Sequence, residues 1–188
     1  MNILVISGSP RVGGNTEIMV DAFVEGAKEN GNEVMVKKLS SLHVAPCKSC
    51  EYCFTHDGAC VQKDDMAEII AAVNEADMIV FASPIYWFGM SAQTKAVIDR
   101  LYALAKKGFH PRYTALLLDS GSPGVYDGPI AEYKAIGSYL HWEDKGIITI
   151  SGMSAKGDMK DSVELCKVRA FGKSLTALLP NSDDEPQS

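Results

Sequence analysis

Five short apolar runs recur along this chain, and a segment with helical periodicity separates each from the next. They are NILVISG (2–8), EVMVKKL (33–39), DMIVFAS (77–83), TALLLDS (114–120) and GIITISG (146–152). All but the second are apolar at successive positions, so neither face of the strand is fit for water and both need cover. Between them, Ile18, Met19, Ala22, Phe23 and Ala27 share one helical face. Met66, Ile69, Ile70 and Val73 follow at i, i+3, i+4 and i+7, behind Asp64 or Asp65 as N-cap. A third helix is predicted over 91–106, a fourth over 127–141, and a last one marked by Leu165, Val168, Leu175 and Leu179. This alternation predicts an α/β fold: a three-layer sandwich with helices on both faces of a five-stranded parallel sheet.

At 188 residues the chain suits one domain, expected over 1–180, with a cysteine-rich insertion at 43–63 and a polar tail at 181–188. A net charge of −6 and the lack of a basic stripe argue against a nucleic-acid surface. MNILVISGSP has no basic leading segment and reads as a strand, not a signal peptide. No run reaches the roughly 18 apolar residues that a membrane span needs. The expected location is therefore the reducing cytoplasm, where closely set cysteines point to metal binding or redox chemistry rather than structural disulfides.

The first run leads into SGSPRVGGNTE, a Gly/Ser-rich turn followed by a helix. Backbone N–H groups and the positive helix end make such a turn an anion site. Ser9 and Thr16 add hydroxyls, Asn15 an amide, and Arg11 a charge that can grip phosphate bidentately. The turn lacks both the Walker lysine and the G-x-G-x-x-G spacing, which argues against a triphosphatase or a dinucleotide fold. The third run ends in SPIYWFGMSAQTKAVIDR. In an open α/β sheet, ligands sit at the carboxyl ends of the strands beside the switch point, where this loop would stand. Three consecutive aromatics there must pack on something: a core plug, a subunit interface or a planar heterocycle. LLDSGSPG after the fourth run supplies another loop, with Ser120 and Gly121.

GSPRVGGNT taken together with SPIYWFGMSAQTKAVIDR resembles the NADPH-dependent FMN reductase and iron–sulfur flavoprotein group of the flavodoxin-like superfamily, over residues 1–150. The resemblance implies a flavodoxin-like strand order, 2-1-3-4-5, and bound FMN. It implies that Ser9, Arg11, Asn15 and Thr16 hold the phosphate. Pro84, Ile85, Tyr86, Trp87, Phe88 and Gly89 would then lie along the ribityl chain and isoalloxazine, with Ser120 and Gly121 near the ring. It also implies a homodimer or homotetramer.

Four of the five cysteines fall at Cys47, Cys50, Cys53 and Cys60, spaced C-x2-C-x2-C-x6-C. Thiolates at two-residue intervals can wrap the corners of an iron–sulfur cubane, and a fourth nearby closes it. Zinc sites more often pair two separated C-x2-C hooks, so the spacing alone leaves cluster, zinc and free thiols open. The iron–sulfur flavoproteins carry a compact motif in this place, and DGACVQKDDM after it also resembles them. The resemblance thus implies a 4Fe-4S cluster. Cys166 is expected to be buried packing on the last helix. Of His43, His56, His110 and His141, only His56 stands where it could touch the cysteine site. Asp99 and Arg100 read as a structural ion pair or interface contact, and Met90 as packing.

The function expected is an FMN-dependent oxidoreductase that passes electrons between FMN, the cluster and a redox partner such as a ferredoxin-like protein. One alternative is an NAD(P)H-dependent FMN or quinone reductase without a cluster, serving a small-molecule electron acceptor. Another is a zinc- or thiol-based flavodoxin-like sensor or electron carrier. None assigns a catalytic side chain, because the cofactor carries the chemistry.

Overall fold

The computed structural model describes residues 1–176, so Leu179 and the expected tail at 181–188 lie outside the described residues. The strands are β1 (Asn2–Ser7), β2 (Glu33–Lys38), β3 (Met78–Tyr86), β4 (Gly89–Met90), β5 (Tyr113–Asp119) and β6 (Glu143–Ile150). The helices are α1 (Asn15–Glu29), α2 (Tyr52–Thr55), α3 (Met66–Glu75), α4 (Ala92–Arg100), α5 (Asp127–Leu140) and α6 (Leu165–Ser174).

Five strands run parallel in the order β2-β1-β3-β5-β6, while the two-residue β4 folds back antiparallel on β3. Counting only the five parallel strands, this is the expected 2-1-3-4-5. Central strands carry the unbroken apolar runs: β1, β3 and β5 are buried almost throughout, whereas the edge strands β2 and β6 are not. Alternate residues feed opposite faces. Leu4, Ile6, Ile79, Phe81, Leu116 and Leu118 pack with α3, α4 and α5 through Ile69, Val73, Val97 and Tyr133. Ile3, Val5, Met78, Val80, Ala115 and Leu117 pack with α1 and α6 through Met19, Val20, Phe23 and Val168. Each fully buried aliphatic chain contributes about 1.5–3 kcal/mol. α1 and α6 approach so closely that a Cβ at Gly172 would stand 2.2 Å from the Phe23 carbonyl oxygen.

Several boundaries differ from those read in the sequence. β3 runs three residues past Ser83 because Pro84 still stands opposite Asp119 of β5 and Ile85–Tyr86 pair with β4. β6 begins at Glu143, earlier than the apolar run, because an edge strand tolerates the polar Glu-Asp-Lys on its open side. The third helix gives way to a 3-10 turn at Leu101–Leu104, and the last ends at Ser174. Cys166 is exposed and donates to the Val163 carbonyl, not buried as expected, because it lies on the outer face of α6 while Val168 turns inward.

Candidate functional site

The direction of the sheet order reverses between β1 and β3, and the loops leaving their carboxyl ends meet there. A cleft of about 280 Å³ is lined by Ser9, Arg11, Asn15, Thr16, Pro84, Ile85, Tyr86, Asp119, Ser120, Gly121, Met153 and Ser154. The loops of β1, β3, β5 and β6 all contribute.

The β1 turn is held from within. Gly13 N–H donates to Glu17 at 2.6 Å, Gly14 N–H to the Arg11 carbonyl, and Arg11 N–H to Ser9 Oγ. These bonds present the start of α1, whose first-turn N–H groups at Asn15, Thr16 and Glu17 have no partner that a helix can supply. The side chains of two expected phosphate ligands are used elsewhere. Both amide hydrogens of Asn15 go to the carbonyls of Met153 and Ala155, while its Oδ1 accepts from the N–H groups of Gly157 and Met159. Asn15 thus braces the β6 loop and can offer a phosphate its backbone N–H, not the amide expected. The Thr16 hydroxyl donates to Asp119 Oδ1 at 2.5 Å, which leaves Thr16 its N–H as well. Ser9 Oγ keeps its hydrogen free, and the Arg11 side chain is exposed at the rim.

A buried hydroxyl network joins the two loops at the switch point. Ser91 Oγ donates to the Gly8 carbonyl at 2.6 Å and accepts from Thr94 N–H as the N-cap of α4. Ser83 Oγ accepts from Ser91 N–H and from the Thr94 hydroxyl. Above it, Trp87 and Phe88 form a two-residue hairpin tip with φ of 47° and 65°. Bulky residues rarely adopt this left-handed backbone, which costs on the order of 1–3 kcal/mol each. Pro84 is buried and Ile85 half-buried, whereas Tyr86, Phe88 and Trp87 are exposed, Trp87 at 93%. Of residues 84–89, Pro84, Ile85 and Tyr86 line the cleft; Trp87, Phe88 and Gly89 do not.

Asp119, Met153 and Ser154 belong to this cleft without having been singled out in the sequence. Asp119 closes the fourth apolar run, a carboxylate at the carboxyl end of a central strand, and that position was the available signal. Burial pushes its carboxyl up, and the Thr16 hydroxyl and the Arg11 charge offset this only in part. Ser120, whose hydroxyl lies 2.6 Å from that of Tyr126, stands at the cleft with Gly121.

No residue of the cysteine segment lines this cleft; the segment lies on the α3–α4 side, where Arg100 reaches Ala45. Cys47 and Cys50 are exposed, Cys53 and Cys60 half-buried, and none of the four is in a disulfide. Among the described residues, no group of three or more potential ligands is gathered as a metal site. The donor set nonetheless suits a cluster, which needs four thiolates and takes its loop with it as it binds. His56 stacks on Tyr52 and accepts or donates at the Thr55 hydroxyl, a contact within its own turn. The two ends of the segment are tied together: Asp65 N–H donates to the His43 carbonyl, His43 N–H to the Asp65 carboxylate, and Ala45 N–H to Asp64 at 3.0 Å.

Arg100 pairs with Asp64 across this base, not with Asp99, which pairs with Lys95 one turn earlier on α4. Arg100 and Asp64 side chains are only 2% and 7% exposed. Burial pushes Asp64 up, but Arg100 and the N–H groups of Ala45 and Met66 outweigh it and hold the carboxyl below its ordinary value.

The sequence matches the family described as NADPH-dependent FMN reductase over residues 1–144. An iron–sulfur flavoprotein from Methanosarcina thermophila is 45% identical over 109 residues, 58% of this chain and 56% of that protein. Another from Archaeoglobus fulgidus is 33% identical over 154 residues, 81% of this chain and 76% of that protein. Against three of the most similar curated relatives, the chain spans only 56%, 56% and 51% of their length. An NAD(P)H:quinone oxidoreductase from Methanothermobacter marburgensis superposes with a TM-score of 0.68 at 18% identity, over 93% of this chain and 98% of that one. An FMN-dependent NADH-azoreductase from Bacillus anthracis, solved with FMN, gives 0.67 at 17%, over 92% and 98%. At such identities the two structures share the fold.

Proposed function

This chain belongs to the NADPH-dependent FMN reductase family, and on that premise we propose that it is an FMN-dependent oxidoreductase carrying a 4Fe-4S cluster on its cysteine segment. The observation that carries the FMN assignment is the cleft at the switch point, where orphan first-turn N–H groups face the Ser9 hydroxyl and the Arg11 rim. The phosphate would be held by the N–H groups of Asn15, Thr16 and Glu17, by Ser9 Oγ and by Arg11. Pro84, Ile85 and Tyr86 would flank the ribityl chain, and Ser120 and Gly121 the ring. Trp87, Phe88 and Gly89 would close over the ring or meet a second subunit, which would cover the exposed aromatics. FMN, when bound, supplies both hydride and single-electron chemistry. The protein's own work is to bind, orient and shield it.

Cys47, Cys50, Cys53 and Cys60 would ligate the cluster, and the names of the relatives support this. A homodimer or homotetramer, a cytoplasmic location and a ferredoxin-like partner complete the reading. No described helix is long and apolar enough to cross a membrane. A second reading, an NAD(P)H-dependent quinone or flavin reductase without a cluster, draws on the family match.

The test is the iron, sulfide, zinc and flavin content of protein purified without oxygen. We expect one FMN with about four iron and four sulfide per chain. Flavin without iron would select the cluster-free reductase. Zinc in place of iron would select the sensor or carrier, and failure to take up FMN would overturn the flavin assignment itself.

A further inference from the structure

Asn15, buried at the start of α1, spends its whole side chain on the loop after β6. Its amide donates to the carbonyls of Met153 and Ala155 at 3.2 and 2.8 Å, and its Oδ1 accepts from Gly157 and Met159 N–H at 2.8 and 3.3 Å. Two of these four partners, Ala155 and Gly157, stand on either side of Lys156. An amide has two donors and two acceptor sites, and here all are used, so the backbone at Lys156 is fixed to the first residue of α1. The loop's own turn adds to the frame: Ala155 N–H donates to Asp158 at 2.7 Å. Gly157, at a φ of 101°, lets the chain turn back directly after Lys156.

The side chain that this frame holds out reaches the β1 turn. Lys156 Cε lies 3.9 Å from the place a Cβ on Gly13 would take, and the ammonium is one bond further along. Gly13 is two residues before the N–H groups that α1 leaves open. Lys145 and Lys167 pair with Glu143 and Glu164, whereas Lys156 is exposed and has no ion pair among the described residues. The charges around the turn give that ammonium a purpose. Arg11 is the one cation lining the cleft, Asp119 lines it too, and the buried Glu17 carboxylate accepts from Gly13 N–H. A phosphate dianion there would meet two carboxyl groups and a single guanidinium, so a second cation beside the turn improves the balance. We propose that Lys156 is a further phosphate-binding residue of the cleft and that Asn15 is the residue that positions it. This rests on the FMN reading above. With its backbone already fixed, Lys156 has only its own stem to order when the anion arrives.

The experiment titrates FMN into the full chain freed of flavin and follows the quenching of flavin fluorescence at low and at high salt. Wild type is compared with Lys156→Gln and Lys156→Arg, and urea midpoints are measured alongside. We expect Lys156→Gln to fold as wild type and to bind FMN about fivefold more weakly at low salt. High salt should narrow that gap, because it screens an exposed cation, and Lys156→Arg should stay near wild type. Equal FMN affinity in wild type and Lys156→Gln overturns the assignment. So does a gap that salt does not change, or an equal loss in Lys156→Arg, since either would make the effect one of shape and not charge. Positioning is read from Asn15→Ser, with Asn15→Ala as a second variant should the first not fold. Adding Lys156→Gln to it should cost little more, because the ammonium has already lost its place. A full fivefold further loss would show that Lys156 finds the phosphate without Asn15, and would overturn the positioning role. Wild type that takes up no FMN overturns the flavin reading and this inference together, whereas FMN-binding wild type with an indifferent Lys156 overturns this inference alone.

Discussion

The turn after β1 and the segment between β2 and α3 both lead from a strand to a helix on the same sheet, yet they are built in opposite ways. The turn is short and anchored at both ends: the Gly8 carbonyl accepts from the buried Ser91 hydroxyl, Ser9 Oγ from Arg11 N–H, and Gly13 N–H donates to the buried Glu17. The segment is long and largely exposed, with Ser49, Glu51 and Asp57 in left-handed backbone and none of its four cysteines in a disulfide. Its base is fixed by the buried ion pair and the bonds at His43 and Ala45, while its middle is held only at the surface, by Lys106 on the Phe54 carbonyl, Lys107 on Asp57 and the Phe54 ring on Tyr102. The first site is finished by the fold, because the helix end that faces the cleft is also part of the core. The second is left open by the fold.

The two acidic residues that mark these regions differ in the same way. Asp64 is met by a guanidinium and two N–H groups, so its charge is favoured despite burial. Asp119 is met by the Thr16 hydroxyl, its own backbone N–H and the Arg11 charge, and burial outweighs them, so its charge is disfavoured.

The strongest way to break the comparison is to remove the tie at the base of the open region. Asp64→Ala strands Arg100 as a buried unpaired charge, and such losses cost about 3–5 kcal/mol. We expect that drop in urea unfolding monitored by far-UV circular dichroism, with FMN affinity little changed in the protein that remains folded. If the unfolding midpoint stays at the wild-type value, the base is not coupled to the core and the whole segment is an independent appendage.

A smaller effect is expected at the finished site. A Cβ at Gly8 would stand 1.8 Å from Thr94 Oγ1 and 3.1 Å from the Ala82 carbonyl oxygen. Gly8→Ala must therefore rotate or displace Thr94, which undoes its bonds to Ser83 and Ser91 and shifts the β1 turn. Overpacking of this kind costs about 1–3 kcal/mol. Isothermal titration with FMN should show at least a tenfold weakening, about 1.4 kcal/mol, while iron content is unaffected. Unchanged FMN affinity would mean that the hydroxyl network does not set the turn.

How far each region could be read from the sequence follows the same division. The sheet was legible because ILVI, MIVF and LLL admit no exposed face, and the strand order followed from the family motifs carried at 8–16 and 83–100. The cleft was legible as a meeting of loops but not in its hydrogen bonds. Asn15 and Thr16 are donors by composition, and only the fold brings Met153, Ala155 and Asp119 across to engage them. Arg100 and Asp64 are 36 residues apart in the chain, and no local pattern links them. Nor did the sequence distinguish Cys166, which faces out on α6, from Val168, which faces in, because the helix alternates apolar and basic residues too closely for phase to be read by eye.

The finest test compares the two carboxylates by pH. A carboxyl whose native value lies above the ordinary 3.8, as at Asp119, binds its proton more tightly folded than unfolded. Its contribution is favourable below 3.8 and is lost as pH rises from there through the native value. Asp64, held below 3.8, behaves the other way: its contribution is present above that pH and is lost as pH falls through the lower native value. Asp119→Asn should therefore flatten the loss of stability on the rising side while leaving the acid side, where Asp64 acts, unchanged. Asparagine keeps an oxygen for the Thr16 hydroxyl, so the contact survives and only the charge goes. Arg11 and Tyr126, the titratable groups that face Asp119, are retained in both proteins. Urea midpoints for the apo-protein from pH 4 to 7 should then show the variant gaining on wild type as pH rises. FMN should bind the variant more tightly at pH 7, since a buried negative charge beside the phosphate turn has been removed. Parallel midpoint curves for the two proteins would mean that Asp119 is as well satisfied as Asp64, and the contrast between the two regions would then rest on their thiols and backbone alone.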